Sequence, residues 1–121
     1  MTSGSLVVQD YAGVTVATIA NASMLDSRAI DAAGEALYHL ADAENRRKII
    51  IDFSDVRFLS SQAIGVVMSM HKKTKKIKGE LVLCGVRSEI MKIFKITSLD
   101  KLLTFLPDEK TALKKFGIHV R

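Results

Sequence analysis

Cysteine, proline and tryptophan are almost missing from this chain: one Cys, one Pro and no Trp in 121 residues. With Cys84 alone, no internal disulfide can form and no thiolate cluster can hold a metal. The three histidines, His39, His71 and His119, have no second ligand at zinc-like spacing. The seven glycines are scattered, so there is no G-x-G-x-x-G, no G-x-x-x-x-G-K-[ST] and no G-x-S-x-G, and no phosphate-cradling loop or nucleophile elbow follows. No apolar run approaches the roughly 20 residues of a membrane span. Met1-Thr2-Ser3-Gly4-Ser5 lacks the basic start and apolar stretch of a secretory leader. Nothing in the chain points to a catalytic residue, a metal or a cofactor. The expectation is a cytoplasmic protein that binds rather than catalyses.

What is present is an ordinary globular balance, 48% hydrophobic and 26% charged, over a length that suggests one domain, 1–121. Leu6–Gln9 and Val14–Ile19 read as strands joined by a hairpin turn at Tyr11-Ala12-Gly13. Residues 26–43 read as a helix capped by Asp26 or Ser27, with Ile30, Ala33, Leu37, Leu40 and Ala41 on its buried face. Lys48–Phe53 carries three successive isoleucines, the mark of an internal strand covered on both faces. A helix follows from Ser60-Ser61 to about Lys76, with Ile64, Val67, Met68 and His71 as its stripe and Gly79 as a stop signal. Glu80–Val86 reads as a strand, and Ser88 as the cap of a short helix. Leu102–Leu106 reads as a last strand, and Pro107-Asp108 opens a final helix with Ala112, Leu113 and Phe116 inward. The order β-β-α-β-α-β-α-β-α predicts an α/β fold with a mixed central sheet and helices packed against it.

The informative segment runs from Ile49 to Val67. A buried strand ends in Asp52, Phe58-Leu59 anchor a short loop, and Ser60-Ser61 open a helix of small residues. On the residues alone, either serine is an N-cap, Ala63 and Gly65 permit close helix packing, and Asp52 is a strand end. A bulky residue at Gly65 is then expected to overpack the helix–sheet contact.

The ordered set resembles the STAS family, named for sulphate transporters and anti-sigma-factor antagonists. Asp52-Phe53 is similar to the family's strand end, Phe58-Leu59 to its hydrophobic pair, and Ile64-Gly65 to its Leu-Gly. Met24-Leu25-Asp26, Gly79–Cys84 and Ile93–Leu99 extend the likeness over nearly the whole chain. Ser61 falls on the family's phosphorylatable serine. Ser60 stands where the family has Asp, Gln62 where it has Ser or Thr, and Ala63 where it has Gly.

The resemblance implies a STAS-like mixed sheet and a non-enzymatic regulator of transcription in bacterial signalling. Such an antagonist binds an anti-sigma factor that is also a switch serine kinase, and phosphorylation at Ser61 ends the binding. ATP belongs to the kinase, so the chain itself needs no cofactor. Asp26, Asp52, Ser60, Ser61 and Gln62 are the expected partner-binding residues, with Asp26 and Asp52 near Ser61. A serine on a first helical turn suits a phosphate, which adds about −1.5 to −2 charge to the docking surface.

Two other readings stand beside this one. The first is a STAS subunit or scaffold without a phosphorylation cycle, in a transporter-associated or stressosome-like complex, which the substitutions around Ser61 favour. The second is a nucleic-acid or anionic-membrane binder through Lys72, Lys73, Lys75, Lys76 and Lys78. Those lysines close a helix, where cations suit the dipole, and no nucleic-acid signature accompanies them. Neither nucleic acid nor membrane insertion is expected.

Overall fold

A computed structural model describes residues 2–3 and 6–119. The expectation of no secretory leader covers the first five residues, of which Met1, Gly4 and Ser5 lie outside the described residues. The strands are β1 (Thr2–Ser3), β2 (Leu6–Tyr11), β3 (Val14–Ile19), β4 (Ser23–Met24), β5 (Lys48–Asp52), β6 (Phe58–Leu59), β7 (Glu80–Cys84) and β8 (Thr104–Leu106). The helices are α1 (Ser27–Asp42), α2 (Ser61–Lys76), α3 (Ser88–Ile96) and α4 (Glu109–Lys115).

Six strands form one mixed sheet in the order β1-β2-β3-β5-β7-β8. β2 and β3 are antiparallel, whereas β3, β5, β7 and β8 run parallel. Ala12 (φ 51°) and Gly13 (φ 92°) close the β2–β3 hairpin with two successive positive φ angles, the turn that matches strand twist.

The three isoleucines of β5 are 0% exposed, and alternation explains why. Ile49 and Ile51 face a layer made by α1, α2 and α3, while Ile50 faces α4 together with Val14, Val16, Val82 and Cys84. A strand covered on both sides has no use for a polar position.

Local signals place most helix ends. Asp26 Oδ1 accepts from the Arg28 N–H at 3.1 Å, Ser60 Oγ from the Ala63 N–H at 3.2 Å, and Asp108 Oδ1 from the Thr111 N–H at 2.7 Å. Each satisfies an orphan donor of its helix. Ser88 is not a cap: it is the first residue of α3, and Arg87 before it makes no side-chain cap bond.

Other expectations shift. α2 turns Ala63, Val67, Met70 and Thr74 inward, and Ile64, Met68 and His71 flank that face half-buried. The buried Thr74 escaped a hydropathy reading because its hydroxyl donates back to the Met70 carbonyl at 2.7 Å and so needs no water. Gly65 is exposed, with nothing within 4 Å of where a Cβ would sit, so it does not pack against the sheet. The close-packed glycines are others. A Cβ on Gly34 of α1 would meet Val66 of α2 at 3.2 Å, and one on Gly79 would meet the Arg47 carbonyl oxygen at 2.5 Å. Gly79 therefore serves that close approach, and Lys78 (φ 60°) takes the left-handed position after α2. Leu102 and Leu103 follow a 3-10 turn at Leu99–Lys101 instead of joining β8.

Candidate functional site

β4 and β6 form a two-residue parallel ribbon that the sequence reading missed, pairing Ser23 with Phe58 and Met24 with Leu59. Strands this short show no period. Alternation across the pleat then divides the pairs: Met24 (3% exposed) and Leu59 (8%) enter the core, whereas Phe58 is 57% exposed. Phe58 is thus not the anchor expected of it; Leu59 alone is. Leu25, next after Met24, is also exposed, at 55%. Two large apolar side chains therefore stand in solvent beside the start of α2.

Backbone bonds hold this corner. The N–H groups of Arg57 and Phe58 both donate to the Ala22 carbonyl, at 2.7 and 3.1 Å, and the Ser60 N–H donates to the Met24 carbonyl at 3.1 Å. Ser60 is half-buried and its hydroxyl is engaged as the α2 cap. Ser61 is the first residue of α2, exposed, and its hydroxyl bonds to no described residue. Gln62 Nε2 donates to Asp31 Oδ1 at 2.8 Å and to the Ser27 carbonyl at 3.3 Å, tying α2 to the start of α1. Asp26, exposed, caps that same start. The structure thus brings Ser60, Ser61 and Gln62 together with the first turn of α1.

Asp52 has a different position. It shares strand parity with Ile50, so its side chain leaves the sheet on the α4 face, opposite α2. It is 6% exposed, and its Oδ1 accepts from the backbone N–H of Ser54 at 2.9 Å and from the Ser54 hydroxyl. Glu109, at the start of α4, lies beside it, near enough for the two carboxyl groups to affect each other. Burial first, then the side-chain interaction with Asp52 and the Asp52 charge, raise the Glu109 carboxyl above its ordinary value. Asp52 therefore joins the sheet to α4 and offers a partner almost no surface. The period-2 rule applied to Ile50 and Asp52 was the signal that could have shown this.

The remaining titratable groups offer little chemistry. Burial, followed by the charges of Asp52, Glu109 and Asp108, pushes the Cys84 thiol up to about 12, so it is a packed thiol and not a nucleophile. His71 is half-buried and makes no hydrogen bond among the described residues. Burial and then the Lys75 charge lower its pKa. Hydrogen bonding from the Thr111 backbone chiefly lowers Asp108. Among the described residues no group of three or more His, Cys, Asp or Glu could hold a metal. No helix among them is long and apolar enough to cross a membrane. Of the lysines at the end of α2, Lys73 is paired with Asp42 at 2.7 Å and lies 5.1 Å from the Tyr38 ring centroid. Lys72, Lys75, Lys76 and Lys78 are exposed.

Comparison with known proteins places this geometry. Residues 6–112 match the STAS domain family. Over 73 residues the chain is 23% identical to BtrV of Bordetella bronchiseptica, whose name designates it an anti-sigma factor antagonist; the match covers 60% of this chain and 63% of that protein. The crystal structure of an anti-sigma factor antagonist from Mycobacterium paratuberculosis superposes with a TM-score of 0.81 at 23% identity, covering 93% of each chain. The Bacillus cell fate determinant SpoIIAA in its phosphorylated form superposes with a TM-score of 0.74 at 16% identity, covering 92% of this chain and 98% of that one. The central sheet and four helices are those of this fold. The comparisons indicate no enzyme family.

Proposed function

Because this chain belongs to the STAS domain family, we propose that it acts as an anti-sigma-factor antagonist. In this reading it binds a switch serine kinase that is also an anti-sigma factor, in the cytoplasm, and phosphorylation at Ser61 releases that partner. The observation that carries the reading is the contrast between two adjacent serines. Ser60 spends its hydroxyl on the helix cap, whereas Ser61 presents an exposed hydroxyl, bonded to no described residue, on the first turn of α2. Leu25 and Phe58 beside it supply apolar contact area. Asp26, Ser60 and Gln62 frame the surface, and Asp52 supports it only from within the fold.

The α2 N-terminus accommodates the added phosphate through its free N–H groups and dipole. The charge then acts on the partner, because a dianion desolvates badly against a surface shaped for a neutral hydroxyl. The test is mass spectrometry of Ser61 in the native cells, combined with binding of the captured kinase to variants. Ser61→Asp weakens binding and Ser61→Ala binds but resists release. If Ser61→Asp binds as tightly as the parent and no phosphate is found on Ser61, a constitutive STAS scaffold replaces the switch. The specific support for that second reading is Gln62, which stands where the family carries Ser or Thr and ties the site to Asp31.

A further inference from the structure

Three segments that each follow a parallel strand converge on one cleft. Ala20, Asn21 and Ala22 follow β3, Asp55 and Arg57 follow β5, and Arg87 follows β7; together they line an open space of about 440 Å³. Its walls are held by the two bonds into the Ala22 carbonyl and by the Asn21 side chain, whose Oδ1 accepts from the Ser23 N–H at 3.0 Å. Arg87 is oriented by one bond, from its Nε to the Ser54 carbonyl at 3.1 Å, which leaves both terminal guanidinium nitrogens without a partner among the described residues. Arg57 has no side-chain partner there at all. Among the described residues Asp55 is the one carboxylate lining the cleft, and it pairs with neither arginine. Two guanidinium groups thus share an open cleft, with their terminal donors unused among the described residues.

We propose that this cleft binds the oxyanion of a small organic ligand, a phosphate or carboxylate group held by Arg87 and Arg57. A guanidinium matches such a group with parallel N–H donors. The cleft is open to solvent on one side, so a ligand anchored by its oxyanion has room to extend outward. The rest of the ligand extends past Asp55, whose carboxylate accepts from a hydroxyl on it. The site uses neither the Ser61 hydroxyl nor the α2 cap, so it stands independently of the phosphoswitch.

The test is an amide chemical-shift titration of the full chain with sodium phosphate and, separately, with sodium succinate, each against sodium chloride at matched ionic strength. The expected result is saturable shifts at residues 20–22, 55–57 and 87 with at least one of the two anions; the stronger titrant identifies the oxyanion. Arg57→Gln and Arg87→Gln each weaken it by about tenfold, the loss of one charge-assisted contact, and the double variant abolishes it. Arg87→Lys keeps the charge but loses the fork, and also weakens binding. Lys92→Gln, on the exposed side of α3, leaves it unchanged. Both arginine side chains are exposed, so unperturbed amides elsewhere verify the fold, and either single variant suffices if the double one fails to fold. Shifts reproduced by chloride, or a titration unchanged in Arg57→Gln and Arg87→Gln, would overturn the proposal.

Discussion

Gln62 on the first turn of α2 reaches Asp31 on α1 at 2.8 Å and fastens the helix that carries the exposed Ser61 to its neighbour. This is a polar contact on the surface, so it tunes geometry more than it adds stability. Gln62→Ala is expected to cost about 0.5–1 kcal/mol. Gln62→Glu sets a carboxylate against Asp31 and costs at least as much at neutral pH, with the loss shrinking at high salt. Urea melts at two ionic strengths check both; a salt-independent Gln62→Glu loss would mean that charge repulsion is not its cause.

The two serines separate by stability as well as by binding. Ser60→Ala removes the α2 cap and is expected to lower stability by about 1 kcal/mol. Ser61→Ala is expected to stay within about 0.5 kcal/mol of the parent. Ser61→Asp should be neutral or slightly stabilising, because it places a negative charge at a helix N-terminus. Denaturant midpoints in which Ser61→Ala is the damaging change would reassign the cap.

Glycine substitutions divide in the same way. Gly65 has open space where a Cβ would go and lies inside α2, so Gly65→Ala is expected to stabilise by about 0.5–1 kcal/mol. Gly79→Ala drives a methyl to 2.5 Å from the Arg47 carbonyl oxygen, and a loss of about 1–3 kcal/mol is expected. Thermal melts of the pair with opposite signs are the predicted pattern. Equal shifts would contradict it.

The Asp52–Glu109 contact gives stability a pH dependence of definite sign. The folded pKa of Glu109 is raised above its ordinary value of 4.5. The native state therefore binds this proton more readily than the unfolded chain. The contribution is fully present below about pH 4.5 and is lost as pH rises through the folded value. Glu109→Gln removes the titration while leaving an amide able to donate to Asp52. The variant is expected to gain on the parent as pH rises above that window and to lose its advantage below it. Urea unfolding from pH 4 to 8 provides the measurement, and parallel parent and variant curves would refute the coupling.

Most of the element order was legible in the residues, for local reasons. The period of 2 in β3, the unbroken isoleucines of β5 and the oxygen caps Asp26, Ser60 and Asp108 act within a few positions of themselves, so a linear reading finds them. The register that sets Ser61 on the family's phosphorylatable serine comes from the resemblance, counted back from Ile64-Gly65.

Tertiary structure decided the rest. The β4–β6 ribbon joins Met24 to Leu59, residues whose neighbours carry no periodic signal, and that pairing alone turns Phe58 outward. The inward face of α2 depends on α1 and the sheet against which it packs, which is why Thr74 entered the core and Gly65 did not. Asp52 was expected near Ser61 because a STAS-like sheet sets both at the same end, but the pleat sends its carboxylate to α4. The arginine cleft is assembled from residues 20–22, 55–57 and 87, brought together only when β3, β5 and β7 align. Elements form from interactions between near neighbours along the chain, whereas surfaces form from contacts between distant segments, which no local pattern encodes.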